Sequence, residues 1–117
     1  MIKNYKDMDI YKRSYELALK LHRITIKFPE MERYDLTSQI RRCSKSIPTN
    51  IAEGYGRKSK DDFRRFLKIS LGSCNELQVH LDFCKDLKYI EEKEYNIISQ
   101  EIGEIGRMIF CTIEKWK

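Results

Sequence analysis

The chain has 117 residues, of which 41% are hydrophobic and 35% are charged. This length and balance fit one globular domain over residues 1–117 and leave little room for a second. Uncharged runs stay far below the 18 residues that a membrane-spanning helix needs, which excludes such a helix. The first residues lack the apolar core of a secretory signal, and we therefore expect a cytoplasmic protein.

The net charge of +5 is unevenly distributed along the chain. Residues 41–68 carry nine basic and three acidic side chains, whereas residues 69–117 carry six basic and nine acidic ones. A concentrated positive segment attracts polyanions, and the acidic segment could equally meet a basic surface on another protein. The alternative is that these charges are ordinary solvated helix faces.

Apolar residues recur at helical spacing through the first half of the chain. The first stripe predicts a helix that Pro29 ends, because proline lacks a backbone N–H and disfavours helix in the residue before it. A second helix is predicted to begin near Asp35 and to finish at Gly54 and Gly56. Pro48 lies inside its stripe and is expected to bend the helix rather than end it. The two stripes are Ile10, Ser14, Leu17, Leu21, Ile24 and Phe28, then Ile40, Cys43, Ile47, Ile51 and Gly54.

Two further helices are predicted in the second half. Ser59, three residues before Asp62, is typical of an N-terminal helix cap. The third stripe then runs for about 26 residues, and a turn over residues 89–92 leads to the fourth. These stripes are Phe63, Leu67, Ser70, Cys74, Leu77, Leu81, Cys84 and Lys88, then Tyr95, Ile98, Ile102, Ile105, Ile109, Thr112 and Trp116.

Four amphipathic helices with three short connections predict an all-α protein, an antiparallel up-down-up-down four-helix bundle. Several apolar residues of the last two helices lie beside the stripes, and some of them should stay exposed on a monomer. Exposed apolar surface usually marks an interface, so we expect a homo-oligomer. The residues beside the stripes are Phe66, Ile69, Phe83, Ile97, Met108, Phe110 and Ile113.

Residue patterns typical of catalysis are missing from the sequence. His80 follows Glu76 by four residues, but the Glu-x-x-His pairs of di-iron bundles do not occur. Metalloprotease, esterase and phosphate-loop motifs are absent as well. The four cysteines form no C-x-x-C pair, and we expect free thiols in a reducing compartment. The sequence therefore predicts a protein that is not an enzyme and holds no metal or cofactor.

Nucleic-acid binding has better candidates. Lysine and arginine side chains displace counterions from phosphates, and Tyr55 and Phe63 are nearby aromatic residues that could stack on unpaired bases. The alternative places Phe63 in the core. Arg41, Arg42 and Lys45 lie far from the turn between the second and third helices, so the candidates need not form one patch. The candidates are Arg41, Arg42, Lys45, Arg57, Lys58, Lys60, Arg64, Arg65 and Lys68.

A short segment carries a resemblance to a known family. Residues 46–54 read SIPTNIAEG and resemble the SIPxNIAEG signature of four-helix bundle proteins encoded in intervening sequences of bacterial 23S ribosomal RNA genes. Residues 36–42 (LTSQIRR) and 66–77 (FLKISLGSCNEL) resemble the flanking LxxQxRR and FLxIAxGSxxEL stretches of the family. Cys43 and Ser70 stand where alanine is usual, a change that leaves the fold untouched.

The resemblance implies a small cytoplasmic bundle that assembles into a homopentamer. A relative of the same fold, the accessory variability protein of diversity-generating retroelements, forms such a barrel, binds nucleic acid and engages a reverse transcriptase. Ribosomal RNA binding is a frequent assumption for the family, which offers no catalytic residues to carry over.

The shared motif also has a physical interpretation as part of the fold. Gly54 permits close helix approach, and Gly72 and Ser73 could provide the facing small surface on the third helix. Asn50 and Glu53, if buried, need partners such as a nearby arginine or a carbonyl freed by the proline. The motif residues given a structural role are Pro48, Asn50, Glu53, Gly54, Gly72, Ser73 and Glu76.

Together these observations predict a non-enzymatic, oligomeric four-helix bundle that binds structured nucleic acid, with RNA favoured. Binding through phosphates would be weakly sequence-specific, because backbone contacts position a protein without reading bases. The alternative is a protein-interaction module whose basic surface docks an acidic partner or a reverse transcriptase. No membrane partner is expected.

Overall fold

The computed structural model describes residues 2–117, and most of them belong to four α-helices. The helices are α1 (Asp9–Thr25), α2 (Leu36–Gly56), α3 (Lys60–Asp86) and α4 (Glu92–Lys115). Two short 3-10 helices, Tyr5–Asp7 and Glu30–Glu32, precede α1 and α2. Residues 2–117 contain no β-strand and no helix long and apolar enough to cross a membrane. The all-α prediction is confirmed.

Helices that are consecutive in the chain pack against each other, and α1 also contacts α4. The molecule measures 42 × 24 × 20 Å. Its long dimension is close to the length of α3 alone, about 40 Å at 1.5 Å per residue. The four helices therefore lie side by side around one shared core, which makes the protein a four-helix bundle.

The four apolar stripes predicted from the sequence form this core. Every stripe residue of α2 is buried, and so is every stripe residue of α3 except the last, Lys88. Of the apolar residues beside the stripes, Phe66 and Ile113 are buried and Met108 is half-buried. The remaining four, Ile69, Phe83, Ile97 and Phe110, are 44–54% exposed. The core is thus wider than the strict stripes, and part of the apolar surface stays outside.

The helix starts agree only partly with the predicted caps. The Ser59 hydroxyl accepts a hydrogen bond from the Asp62 N–H at 3.3 Å and caps α3 as expected. Asp35 occupies the capping position of α2, but its side chain makes no capping hydrogen bond. Instead, the Leu36 N–H donates to the Glu32 carboxylate at 3.4 Å. The capping group of α2 is therefore an acidic residue from the preceding 3-10 helix.

The first helix ends earlier than predicted, and the second continues through its proline. α1 stops at Thr25, after which the N–H groups of residues 26–28 donate to carbonyls three residues back. This tighter winding carries the chain to Pro29, which disfavours α-helix at Phe28. α2 runs unbroken past Pro48, as predicted, and the proline is buried.

Candidate nucleic-acid interface

The end of the bundle at the α2–α3 turn collects most of the positive charge. Residues 2–13, 53–68 and 105–117 meet there, and they carry thirteen lysines and arginines against six acidic residues. The other residues carry ten against twelve. Contacts join the three segments: the Tyr55 hydroxyl donates to the Ile2 carbonyl at 3.4 Å, and the Lys60 ammonium donates to the Lys117 carbonyl at 3.2 Å. We call this region the basic end.

Two arginines of the basic end share one aromatic support. The guanidinium carbons of Arg57 and Arg65 lie 5.2 and 4.6 Å from the ring centroid of buried Phe66. Each arginine also contacts a carboxylate, Glu53 at 3.6 Å and Asp62 at 3.3 Å. A cation over an aromatic face is attracted to it, so these guanidinium groups are held in place while their side chains stay about half exposed.

The other predicted cations of the turn segment have mixed roles. Lys58 is exposed and lies in the turn between α2 and α3, where its backbone adopts a positive φ of 55°. Arg64 donates from Nε to the Ile113 carbonyl at 3.1 Å and thereby ties α3 to α4. The hydrogen bond from Lys117, together with the charges of Arg64 and Lys68, lowers the pKa of Glu114. These contacts leave Lys58 and Lys68 as exposed charges beside the arginine pair.

The three remaining candidates lie on α2, away from the basic end. The Arg41 guanidinium donates to the Thr25 hydroxyl at 2.9 Å and to the His22 carbonyl at 3.1 Å, so it binds the last turn of α1. Arg42 and Lys45 are exposed. The structure therefore divides the nine predicted residues between two places and puts Arg41 in a tertiary contact.

A histidine shows that a second group of cations collects near that contact. The pKa of His22 lies below its ordinary value of 6.5, mainly because of the Arg41 charge, then burial, then the charges of Lys45 and Arg23. The sequence interpretation missed Arg23 and His22 because they lie on α1, outside the basic segment of the chain. We call Arg23, Arg41 and Lys45 the α1–α2 cation cluster.

Two of the motif residues, Gly54 and Ser73, lie at the contact between α2 and α3 as the sequence predicted, and Gly72 does not. A methyl group placed at Gly54 would lie 2.6 Å from the Cβ of Phe66, so only glycine allows this approach of α2 and α3. Ser73 is buried, and its hydroxyl lies 2.8 Å from that of Ser46. Gly72 does not face α2 as predicted. It is exposed, with nothing within 4 Å of an added Cβ, since it lies on the outward side of α3.

The polar residues of the motif find partners within the bundle. The Asn50 amide donates to the Ser46 carbonyl at 2.8 Å and to the Ser46 hydroxyl at 3.1 Å. Its partner is therefore neither an arginine nor the carbonyl that Pro48 frees, but the residue one helical turn earlier. Glu53 is exposed and pairs with Arg57, as described above. Glu76 is also exposed and lies 3.3 Å from the His80 ring.

Three of the four cysteines are buried. Burial raises the pKa of Cys43 and Cys84 to about 12 and that of Cys74 to about 11, so these thiols stay protonated. Cys111 is exposed. Within residues 2–117, no group of three or more His, Cys, Asp and Glu side chains is placed to hold a metal ion.

Comparison with known proteins agrees with the motif. A model of the 23S rRNA-intervening sequence protein family matches residues 6–111. The chain belongs to this family. The match covers all four helices except the last turn of α4. It thereby confirms the resemblance that was based on residues 36–77.

A solved structure is similar to this intervening-sequence protein over nearly its full length. It is the crystal structure of a protein of unknown function from the S23 ribosomal protein family of Bacteroides thetaiotaomicron VPI-5482. The two chains are 26% identical, with a TM-score of 0.81, over 90% of this chain and 95% of the other. No curated protein matches the chain.

Proposed function

We propose that this protein is a non-enzymatic RNA-binding bundle whose basic end holds RNA phosphates. The observation that carries the proposal is the pair Arg57 and Arg65, held over the ring of Phe66 within the basic end. Arginine held in this way loses less side-chain freedom when it binds phosphate, because its geometry is already restricted. The family name, which refers to 23S rRNA, favours RNA over DNA as the polyanion.

We further infer an up-down-up-down bundle that assembles as a homo-oligomer in the cytoplasm. Contacts between α2 and α3 pair Gly54 with Phe66 and Cys43 with Ser73, so the residue numbers rise along one helix and fall along the other. The oligomer is supported by three apolar side chains at four-residue spacing, each about half exposed: Val79 and Phe83 on α3, and Leu87 directly after it. Light scattering on the purified protein measures the assembly.

The proposal is tested by titrating the protein into a labelled RNA stem-loop at about 50 and 200 mM salt. Each phosphate contact contributes about 0.9 to the slope of log affinity against log salt. The variant Arg57→Gln with Arg65→Gln should therefore lower that slope by about two, with weaker binding to all RNA sequences alike. Arg41 is unsuitable for this test, because its loss would also release the end of α1.

The chain offers a matched control for Arg65. Arg33 likewise lies beside a carboxylate three residues earlier, Glu30 at 3.4 Å, and over the next residue's ring, Tyr34 at 5.3 Å. It differs in lying outside the basic end. Arg33→Gln should leave the RNA affinity unchanged. An equal loss in both variants, or no binding by the native protein at low salt, contradicts the proposal and favours an acidic protein partner instead.

A further inference from the structure

A groove of about 460 Å³ runs between α1 and α2, and apart from Tyr5 and Tyr11 its lining residues lie outside the basic end. Its floor contains Ala18 of α1 and Pro48 and Ala52 of α2. These side chains are short or compact, and the space between the two helices stays open where they meet. Two of the three belong to the SIPTNIAEG segment, so the family motif builds one side of this groove.

Tyrosine rings form the wall of the groove on the α1 side. The rings of Tyr11 and Tyr15 are 5.8 Å apart with 26° between their planes, and Tyr5 meets Tyr11 edge-on at 4.9 Å. Tyr15 is 46% exposed. Burial and the two neighbouring phenols raise the pKa of Tyr11, so its hydroxyl stays a neutral hydrogen-bond donor. We call this cavity the tyrosine groove.

Positive charge lies at the other end of the tyrosine groove. His22 and Lys45 line that end, and the charges of Arg41 and Arg23 act on His22 there. In the part of the chain that the structure describes, none of the three cations of the α1–α2 cation cluster forms a salt bridge. Like charges that collect without a counterion repel one another, and a bound anion would relieve that repulsion.

We propose that the tyrosine groove binds an unpaired nucleotide of RNA, with its base against Tyr15 and a phosphate at Lys45. Every nucleobase has a flat face that stacks on an aromatic side chain, and single-stranded RNA presents such faces beside phosphates. Tyr15 and His22 are seven residues apart, about 10 Å along α1, which suits one nucleotide with its flanking phosphate. The inference rests on the proposed RNA binding and adds a preference for unpaired segments.

The first experiment compares a single-stranded RNA octamer, the same sequence as a duplex, and AMP as a free nucleotide. Tyr15→Leu should weaken octamer binding about 5- to 150-fold and leave duplex binding unchanged, while Tyr15→Phe keeps the affinity. Tyr34→Leu is the control, since Tyr34 is 86% exposed and lies outside the groove. AMP should bind more weakly than the octamer. Binding of AMP as tight as that of the octamer overturns RNA as the source of the nucleotide.

A second measurement tests the phosphate position. Lys45→Gln should weaken octamer binding, whereas Lys93→Gln, at an exposed lysine of α4, should not. Octamer binding should also raise the pKa of His22, followed by NMR, because a phosphate beside the ring favours the charged imidazole. An unchanged His22 titration in the bound state contradicts the proposal.

The outcomes separate this inference from the proposed function. If the stem-loop binds through Arg57 and Arg65 and the octamer does not bind, the tyrosine groove is not a nucleotide site and the basic end remains. If the octamer binds but Tyr15→Leu does not change its affinity, the tyrosine groove is likewise not a nucleotide site. If octamer binding depends on Tyr15 but stem-loop binding does not depend on Arg57 and Arg65, the tyrosine groove is a nucleotide site and the basic end is not the RNA site. Binding of neither RNA overturns both.

Discussion

Two of the interfaces between helices, α2–α3 and α1–α4, differ in construction. Between α2 and α3, short side chains bond to the neighbouring backbone: the Ser70 hydroxyl donates to the Ile47 carbonyl at 2.9 Å, and the Cys43 thiol donates to the Ser73 carbonyl at 3.0 Å. Between α1 and α4, long side chains reach across the outside. Arg13 pairs with Glu104 at 2.7 Å, and Lys20 pairs with Glu101 at 2.6 Å.

The difference shows how the spacing between two helices determines how much an interaction between them contributes to stability. Small residues let α2 and α3 pack closely enough to exclude water. A polar group buried there loses its hydrogen bond to water, and the hydrogen bond across the interface replaces it. The α1–α4 ion pairs stay 29–39% exposed, where solvent and salt screen them. We therefore expect stability to depend strongly on the α2–α3 interface and weakly on the α1–α4 pairs.

The largest effect is expected at Gly54. Gly54→Ala places a methyl group 2.6 Å from the Cβ of Phe66, which is too close to the α3 backbone to move aside, so the helices must separate. Overpacking of this kind costs about 1–3 kcal/mol, more than the gain in helix propensity returns. Urea denaturation measures the loss.

Gly72 provides the matched control on α3. Gly72→Ala meets nothing within 4 Å, and an alanine in an exposed helix interior is favoured over glycine. The free energy of unfolding should rise by about 0.5–1 kcal/mol. A loss of stability at Gly72 as large as that at Gly54 would mean that spacing between helices is not the cause.

An intermediate effect is expected for the hydroxyl pair Ser46 and Ser73. Ser46→Ala leaves the buried Ser73 hydroxyl without its partner at 2.8 Å, and should cost about 1 kcal/mol. The double variant Ser46→Ala with Ser73→Ala should lose less stability than the sum of the two single variants, because no buried hydroxyl is then left without its partner. Strict additivity in the double-mutant cycle would contradict the coupling.

The smallest effect is expected at Glu104. The hydrogen bonds from Arg13 and Gln100 lower the pKa of Glu104, so its contribution is present above pH 4.5 and is lost as the pH falls through the lowered pKa of the folded state. Glu104→Gln should therefore lower the thermal midpoint slightly at pH 7, and this difference should diminish as the pH falls below 4.5. The difference should also shrink in 1 M salt. A loss of stability larger than that of Ser46→Ala would contradict the expectation that the α1–α4 pairs contribute less than the α2–α3 interface.

The pattern of apolar residues determined most of the architecture. The stripes of α2 and α3 are buried as predicted, because a period of 3.6 residues decides which face of a helix must leave water. Ser59 was recognisable as a cap since its hydrogen bond is local, and Gly54 was recognisable as part of the inner face because it continues the apolar stripe of α2. The resemblance to the family was also recognisable from the sequence, mainly from residues 36–77.

Tertiary structure decided the contacts that depend on how neighbouring helices are rotated and aligned. Arg41 was predicted for phosphate yet binds the end of α1, Asn50 bonds to Ser46, and Gly72 points outward. The same holds for the two arginines on Phe66 and for the tyrosine groove, whose walls come from different helices. Periodicity assigns each residue to a face, but the partner across that face is set by the relative rotation and register of two helices, and no local pattern contains these.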